Sequence, residues 1–478
     1  MKRALSRRHL LASLGLATGA IALGDVVMHP SLARADGEAI LDAPLLLFVY
    51  FDGAWDTLLS LDPRDHTVFG TPDPNKAIYT GLDQVRVADP IVDQFLDQNP
   101  SGIDQPSGSK IGFGPAVGGL SAHYQDLCVV RGLDMGTLTH EVGRRYFLTG
   151  KFPRGVLPSG SALPTWIASQ DPSLAAIPNL VVGGMETYNE GLDPKASGLG
   201  VQGYQDLGVI LKPVNELLVN PQAMEDAIAA QQAVDHCLHR QLDVGGLVEA
   251  FRAGWDKALV VGGGTLWQHF DFVPNPPSGG EIDQIYDAFG INKQNPAPDL
   301  NGPKGRAAVA AQALVNDLCQ VVSVRIQNGI DTHFNNWAST HSTRLRAGFD
   351  ALASLITFLK DTLDPNGKPY WDRTTMVVFS EFARTPLLNA QSGRDHHLCN
   401  SCIVAGAGIA GNQVVGASTA SGYEYTSFDF DAQTAKPVND GSPALRPADV
   451  HATVCEAMGI GADHIQNQEP KLLHTMLA

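Results

Sequence analysis

Thr374-Thr-Met-Val-Val-Phe-Ser-Glu-Phe-Ala-Arg-Thr385 decides the fold. Its first half is β-branched, apolar and aromatic, the composition of a strand buried on both faces, and it runs directly into Glu381. Gly393-Arg-Asp-His-His397 follows within one loop. A carboxylate and imidazoles therefore gather at the end of a buried strand. In open α/β sheets ligands bind outside the carboxyl ends of the strands, so this is where a metal site or catalytic centre is expected.

Upstream and downstream segments support the same architecture. Leu45-Leu-Leu-Phe-Val-Tyr-Phe51 reads as the first strand and ends at Asp52-Gly-Ala-Trp-Asp56. Leu127–Arg131 and Asn179–Gly183 read as further short strands. Apolar residues recur with helical spacing over Arg306–Asn328 (Val309, Ala313, Leu314, Leu318, Val321, Val322) and over Arg344–Leu363 (Leu345, Phe349, Leu352, Leu355, Ile356, Leu359). The Asp364-Pro-Asn-Gly-Lys-Pro turn then feeds the strand at Thr375. Strands alternating with helices predict an α/β fold with a mainly parallel central sheet covered by helices on both faces. Residues 156–304 are rich in Gly and Pro and read as an inserted cap, which divides the core into 36–155 and 305–478.

The N-terminus reads as an address. Met1-Lys-Arg-Ala-Leu-Ser6-Arg7-Arg8-His-Leu-Leu11 pairs two arginines ahead of an apolar run from Leu10 to about Val27, and Ala33-Arg-Ala35 has the form of a cleavage site. The expectation is a twin-arginine signal over residues 1–35, a mature chain beginning near Asp36, the twin-arginine translocase as an export partner, and a periplasmic or secreted location. Gly15, Gly19 and Gly24 dilute the run below the strength of a membrane anchor, so no stable span is expected after cleavage. The 478-residue chain has a net charge of −17, and losing residues 1–35 removes more basic than acidic groups. Nucleic acid is thereby excluded as an expected partner. Six cysteines in a chain of this length do not make a disulfide framework. Cys399-Asn-Ser-Cys402 leaves open a disulfide, a redox pair or half a zinc site, with a structural role preferred.

Several motifs taken together carry a family resemblance. The strand ending in an Asp-Gly turn, Thr139-His140 ahead of Leu148-Thr-Gly-Lys-Phe-Pro-Arg-Gly155, Gly329-Ile-Asp-Thr-His333, Ser380-Glu-Phe-Ala-Arg-Thr385 and Gly393-Arg-Asp-His396 resemble the bacterial DUF1501 proteins, which are similar to the alkaline phosphatase and sulfatase superfamily. Pro447-Ala-Asp-Val-His-Ala-Thr453 through Ile460 resembles a helix of that superfamily.

The resemblance implies an alkaline phosphatase-like fold with two divalent metals at the carboxyl edge of the sheet. It places Asp52 at the first strand end, Thr139 near the nucleophile position, Asp331 and His333 as an Asp-His pair, Glu381 in place of an Asp ligand, and His396 as a late His ligand. The DUF1501 pattern favours Asp56 over Asp52 at the first strand. Phe382 stands where the superfamily has a ligand His, and a phenyl ring cannot coordinate. His140 is a rival to Thr139, because Thr139 lies one residue too far from Thr149, and His140 is also a replacement for the missing imidazole.

Carboxylates and imidazoles of this kind suit Zn, Mn, Mg or Ca to different degrees. Two such ions would clamp the attacking and leaving oxygens of an ester displacement, with Thr139 as a nucleophile needing activation and Arg384 or Arg394 gripping the non-bridging oxygens of phosphate or sulfate. Each residue also has a structural reading. Asp and His in Gly-rich loops commonly cap or turn the backbone, Arg384 serves equally as a brace, and His341, His397 and His451 fit structural positions. Two functions follow as expectations: an exported metal-dependent hydrolase of small-molecule or glycan phosphate or sulfate esters, or a non-catalytic binding or structural protein on a degenerate version of the fold.

Overall fold

A computed structural model describes residues 43–212, 266–423, 429–431, 433–434, 437–438 and 444–478. The signal read at 1–35 and Cys237 lie outside the described residues.

Eight strands form the central sheet: β1 (Leu45–Phe51), β2 (Leu127–Asp134), β3 (Asn179–Val182), β4 (Leu199–Val201), β5 (Val321–Gln327), β6 (Thr374–Ser380), β9 (Cys399–Gly406) and β10 (Gln413–Gly416). Two short strands, β7 (Ala383–Arg384) and β8 (His396–His397), pair separately. The sheet order is β10-β2-β9-β6-β1-β5-β3-β4. Every neighbouring pair is parallel except those made by β9, which runs antiparallel to β2 and β6. The start of β9 therefore lies at the same edge as the carboxyl ends of the other seven strands, which brings His396 level with Glu381.

Helices cover both faces, as the sequence pattern requires. Every residue of β1 is buried, and alternation sends Leu45, Leu47, Val49 and Phe51 to one core and Leu46, Phe48 and Tyr50 to the other. The first core is closed by residues of Pro303–Val315 and Trp337–Asp361, the second by residues of α1 (His140–Thr149) and of a C-terminal helix. With α1 first, Pro303–Val315 is α2, Trp337–Asp361 is α3 and Pro447–Ala457 is α4.

Two expectations need correction. The helical spacing read from Arg306 to Asn328 spans two elements: α2 ends at Val315, Asp317 takes a left-handed conformation (φ 51°), and Val321–Gln327 is strand β5. The β-branched run Val321-Val-Ser-Val favours the strand, and two apolar periods abutting across a short turn imitate one long helix. The stretch 156–304 also does not lie wholly outside the core, since it contributes β3 and β4 to the sheet. Cys399 and Cys402 are buried in β9. Side chains alternate along a strand, so residues three apart point to opposite faces and cannot bridge each other.

Helix α4 carries His451, whose Nε2–H donates to the Phe147 carbonyl at 2.7 Å, and His464 stacks on it and on Trp166 at ring distances of 5.8 and 5.2 Å. Burial pushes the His451 pKa down to about 4, and burial together with His451 and Lys151 pushes His464 down to about 2. These imidazoles stay neutral in the fold while their unfolded counterparts protonate below about pH 6.5. Stability therefore falls as pH drops from about 6.5, by about 2 kcal/mol per histidine at pH 5. Urea midpoints measured at pH 7 and pH 5 should show this loss, and His464→Phe should reduce it by roughly half. An identical pH dependence in that variant would refute the assignment.

Candidate metal centre

Glycine sets the position of the first imidazole. A Cβ on Gly143 would lie 2.4 Å from the Glu381 carbonyl oxygen, so only glycine lets α1 rest against the end of β6. His140, the first residue of α1, is thereby placed with Nδ1 2.5 Å from Glu381 Oε1. A second close approach positions the other side. A Cβ on Gly393 would lie 2.2 Å from the His333 carbonyl carbon, which explains a glycine ahead of Arg394, Asp395 and His396 and brings the two histidine loops together.

Three imidazoles converge on one carboxylate. His333 Nε2 is 3.0 Å from Asp331 Oδ1, His396 Nε2 is 3.7 Å from the same oxygen, and His140 Nε2 is 3.6 Å from Asp331 Oδ2. Each ring faces an oxygen acceptor with its other nitrogen: Glu381 for His140, the Asp395 carboxylate at 2.8 Å for His333, and the Leu138 carbonyl at 2.6 Å for His396. Nδ1–H donation to these oxygens fixes the tautomer with Nε2 bare, the arrangement that outer hydrogen bonds impose on metal-binding histidines. Phe382, buried, lays its ring against His140 and His396 at 4.8 and 4.4 Å and holds their planes.

The donor set fits a cation. His140 Nε2 is buried and has no hydrogen-bond partner. His333 Nε2 and His396 Nε2 face each other at 2.9 Å, where two bare lone pairs repel unless a proton or a metal lies between them. One ligand atom from each of His140, Asp331 and His396 falls within 4.8 Å of the others. His333 completes the group but also accepts from Arg384 Nη1 at 3.2 Å, so it is the least free of the three imidazoles. His140 and His396 hold the Asp331 carboxyl well below the usual carboxylate range, with Arg384 adding to the effect. Burial alone would lower the His140 pKa, but hydrogen bonds to Asp331 and Glu381 outweigh it and raise it to about 9, so without a metal Nε2 also carries a proton at neutral pH, which a bound cation would displace. Asp331 remains 48% exposed, so the cluster opens to solvent.

The remaining residues singled out in the sequence take other places. Glu381 is fully buried and turned inward, where it accepts from Gly53 N–H at 2.9 Å and the Ser380 hydroxyl at 2.9 Å besides His140. Its carboxylate is spent on these three partners inside the fold. Asp52 lies outside the cluster and pairs with Arg325 at 3.0 Å and the Tyr50 hydroxyl at 3.0 Å. Asp56 is buried against Arg394 and Trp337. Arg384 is fully buried and spends its N–H groups on the Ala54, Gly53 and Arg394 carbonyls, His333 and Asp331, so it positions Asp331 and has nothing left for a substrate oxygen. Arg394 is likewise committed, to the carbonyls of Thr385, Tyr79 and Thr80. Thr139 is the exposed N-cap of α1 but makes no side-chain capping bond. His341 is buried between Thr332 and the Asp56 backbone, and His397 accepts from Cys399 N–H at 3.3 Å. Sequence reasoning missed Asp395 and the Leu138 carbonyl. The first was signalled only by its place between Arg394 and His396, and the second had no signal at all.

Glu381→Gln tests the anchoring role. The amide keeps the shape and its oxygen can still face Gly53 N–H and His140 Nδ1–H, with its NH2 toward Ser380 Oγ, but a neutral oxygen holds the Nδ1–H tautomer and the ring less strongly than a carboxylate. Metal affinity should fall by about 10–100-fold, read by competition with a chromophoric chelator. Wild-type affinity would mean that Glu381 does not set the tautomer.

The fold and site define an α/β protein with one histidine-carboxylate cluster, among the described residues, at the carboxyl edge of a mostly parallel sheet. Residues 279–468, a stretch that holds Asp331, His333, Glu381 and His396, match the family model described as "Protein of unknown function (DUF1501)". No curated protein matches the sequence. Solved structures with a likeness include the PsFucS1 sulfatase from Pseudoalteromonas sp., 11% identical over 94% of this chain and 72% of that one, with a TM-score of 0.34. A Bacteroides thetaiotaomicron structure from a locus for metabolism of multiple glycosaminoglycans is 10% identical over 90% and 76%, with a TM-score of 0.37. A TAB5 alkaline phosphatase variant with Mg bound in its M3 site is 10% identical over 76% and 91%, with a TM-score of 0.28. No helix among the described residues is long and apolar enough to cross a membrane.

Proposed function

We propose that the mature chain, exported by the twin-arginine route to the periplasm or beyond, is a metal-dependent hydrolase of phosphate or sulfate esters that works with one metal ion. The observation that carries this reading is the convergence of three tautomer-fixed imidazoles on the Asp331 carboxylate beside a buried, unpartnered His140 Nε2. His140, Asp331 and His396, with His333, would hold the ion. A set this rich in nitrogen favours Zn over Mn, Ca or Mg, which prefer oxygen ligands. Such an ion supplies Lewis-acid polarisation of an ester oxygen.

The chain's own groups do the rest. Asp331 offers its half-exposed carboxylate to the opening, Arg384 holds that carboxylate in place, and Phe382 excludes water from the inner side of His140 and His396. Thr139 has a hydroxyl unspent on capping and lies beside His140 in the chain, which makes it the nucleophile of this reading. The two-metal arrangement implied by the resemblance is not part of it, because Asp52 and Glu381 are engaged elsewhere.

A second reading has a specific observation in its favour. Arg384 and Arg394 are both consumed internally, which leaves the transferred group without the arginine grip expected for it and suits a binding protein. The experiment is elemental mass spectrometry on mature protein exported through its own signal, followed by turnover of 4-nitrophenyl phosphate and 4-nitrophenyl sulfate by wild type and Thr139→Ala. Stoichiometric metal with turnover that chelation and Thr139→Ala both abolish supports the hydrolase. Bound metal without turnover of either ester supports the binding protein.

A further inference from the structure

Two neighbouring guanidinium groups have one carboxylate near them, Asp52, which pairs with only one of the two. Arg325 on β5 gives Nη1–H to Asp52 Oδ2 at 3.0 Å, and its Nε is buried without a partner. Arg306, on the first turn of α2, donates Nη1–H only to the Arg325 and Ile326 carbonyls, at 3.1 and 3.4 Å, and has no carboxylate partner among the described residues. Both arginines lie over the Gly183-Gly184 dipeptide that follows β3. A Cβ on Gly183 would come 3.5 Å from Arg306 Nε, and one on Gly184 3.3 Å from Arg325 Nη2 and 3.0 Å from Gln202 Oε1.

The electrostatics are unusual for this chain. It carries 50 acidic against 33 basic residues, yet here a half-buried arginine sits next to another and the nearby Asp52 carboxylate pairs with only one of them. Burial and the neighbouring Arg325 both push the Arg306 pKa down, the mark of a cation lacking compensation. An oxyanion would supply the missing charge. The planar N–H forks of arginine match its oxygens.

The chain itself ties this place to the metal cluster. Asp52 holds Arg325, and the next residue, Gly53, gives its N–H to Glu381 and its carbonyl to Arg384. Consecutive Cα atoms are about 3.8 Å apart, so one peptide unit links the two places.

We propose that Arg306 and Arg325 form an anion subsite that takes a second sulfate, phosphate or carboxylate group of the substrate, next to the ester presented to the metal cluster. The substrate class is then an ester carrying at least two anionic groups, which rests on the hydrolase reading above; the anion subsite itself does not.

Inorganic sulfate is the probe. Chelator-treated mature protein is titrated with sodium sulfate against sodium chloride of equal ionic strength, and the melting temperature is followed for wild type, Arg306→Gln, Arg325→Gln and Asp331→Asn. Wild type and Asp331→Asn should show a saturable rise specific to sulfate, and each arginine variant should need at least about tenfold more sulfate for the same rise. Circular dichroism of the arginine variants confirms that they are folded. An equal sulfate response in wild type and both arginine variants, or no response in wild type beyond that of chloride, overturns the subsite. A normal sulfate response in a wild type that binds no metal keeps the subsite and removes only its link to ester hydrolysis.

Discussion

Asp331→Asn should leave the protein without bound metal and close to wild type in stability. All three imidazoles turn their Nε2 atoms toward this carboxylate, at 3.0 to 3.7 Å, so it is the group most shared within the cluster. Residues that merely orient a ligand are worth 10–100-fold in affinity, and loss of a ligand at the centre should cost at least about 100-fold. The fold should tolerate the change, because the Asn carbonyl still accepts from Arg384, whose other N–H groups keep their carbonyl and imidazole partners, and position 331 is 48% exposed to solvent. Elemental analysis after dialysis reads the first effect and urea denaturation the second. Metal retained at wild-type stoichiometry would show that the ion, if any, is held elsewhere, and the hydrolase reading would lose its central observation.

The place of this cluster was legible because its signals are local. A buried strand announces itself by composition, the residue after it must lie at the sheet edge, and Asp331, His333 and His396 all follow or precede strands by only a few residues. Which edge residues point at the cluster was not legible. Glu381 occupies the strand-end position where a ligand is expected, yet its carboxylate turns inward, and the cause, α1 lying on the Glu381 carbonyl through Gly143, is a contact between residues far apart in sequence. Asp52 looks equally suitable, but sheet pairing sets Tyr50 opposite Arg325 and delivers that guanidinium to Asp52. The rivalry between Thr139 and His140 turns on a single residue: Thr139 is the cap of α1, and His140 is its first residue, beside Glu381. The break between α2 and β5 was hidden for the same reason, since a local pattern does not show when one period gives way to another.

Asp56→Ala should be the most destabilising of these changes, lowering stability by about 3–5 kcal/mol. Asp56 is fully buried, with Oδ2 2.9 Å from both Arg394 Nε and Trp337 Nε1, and Oδ1 accepting from Leu58 and Leu59 N–H at 3.1 and 3.3 Å. Alanine leaves the guanidinium of Arg394, itself fully buried, without its counter-ion. The motif pattern marks Asp56 as a metal ligand, whereas its contacts make it the counter-ion that fixes the loop carrying Asp395 and His396. A double-mutant cycle separates these roles. If Asp56 serves Arg394, then Asp56→Ala combined with Arg394→Met should cost less than the sum of the two single changes, by up to about 3 kcal/mol, because the unpaired buried charge is gone. Strict additivity in urea denaturation, together with loss of metal from an Asp56→Ala protein of wild-type stability, would return Asp56 to the ligand set.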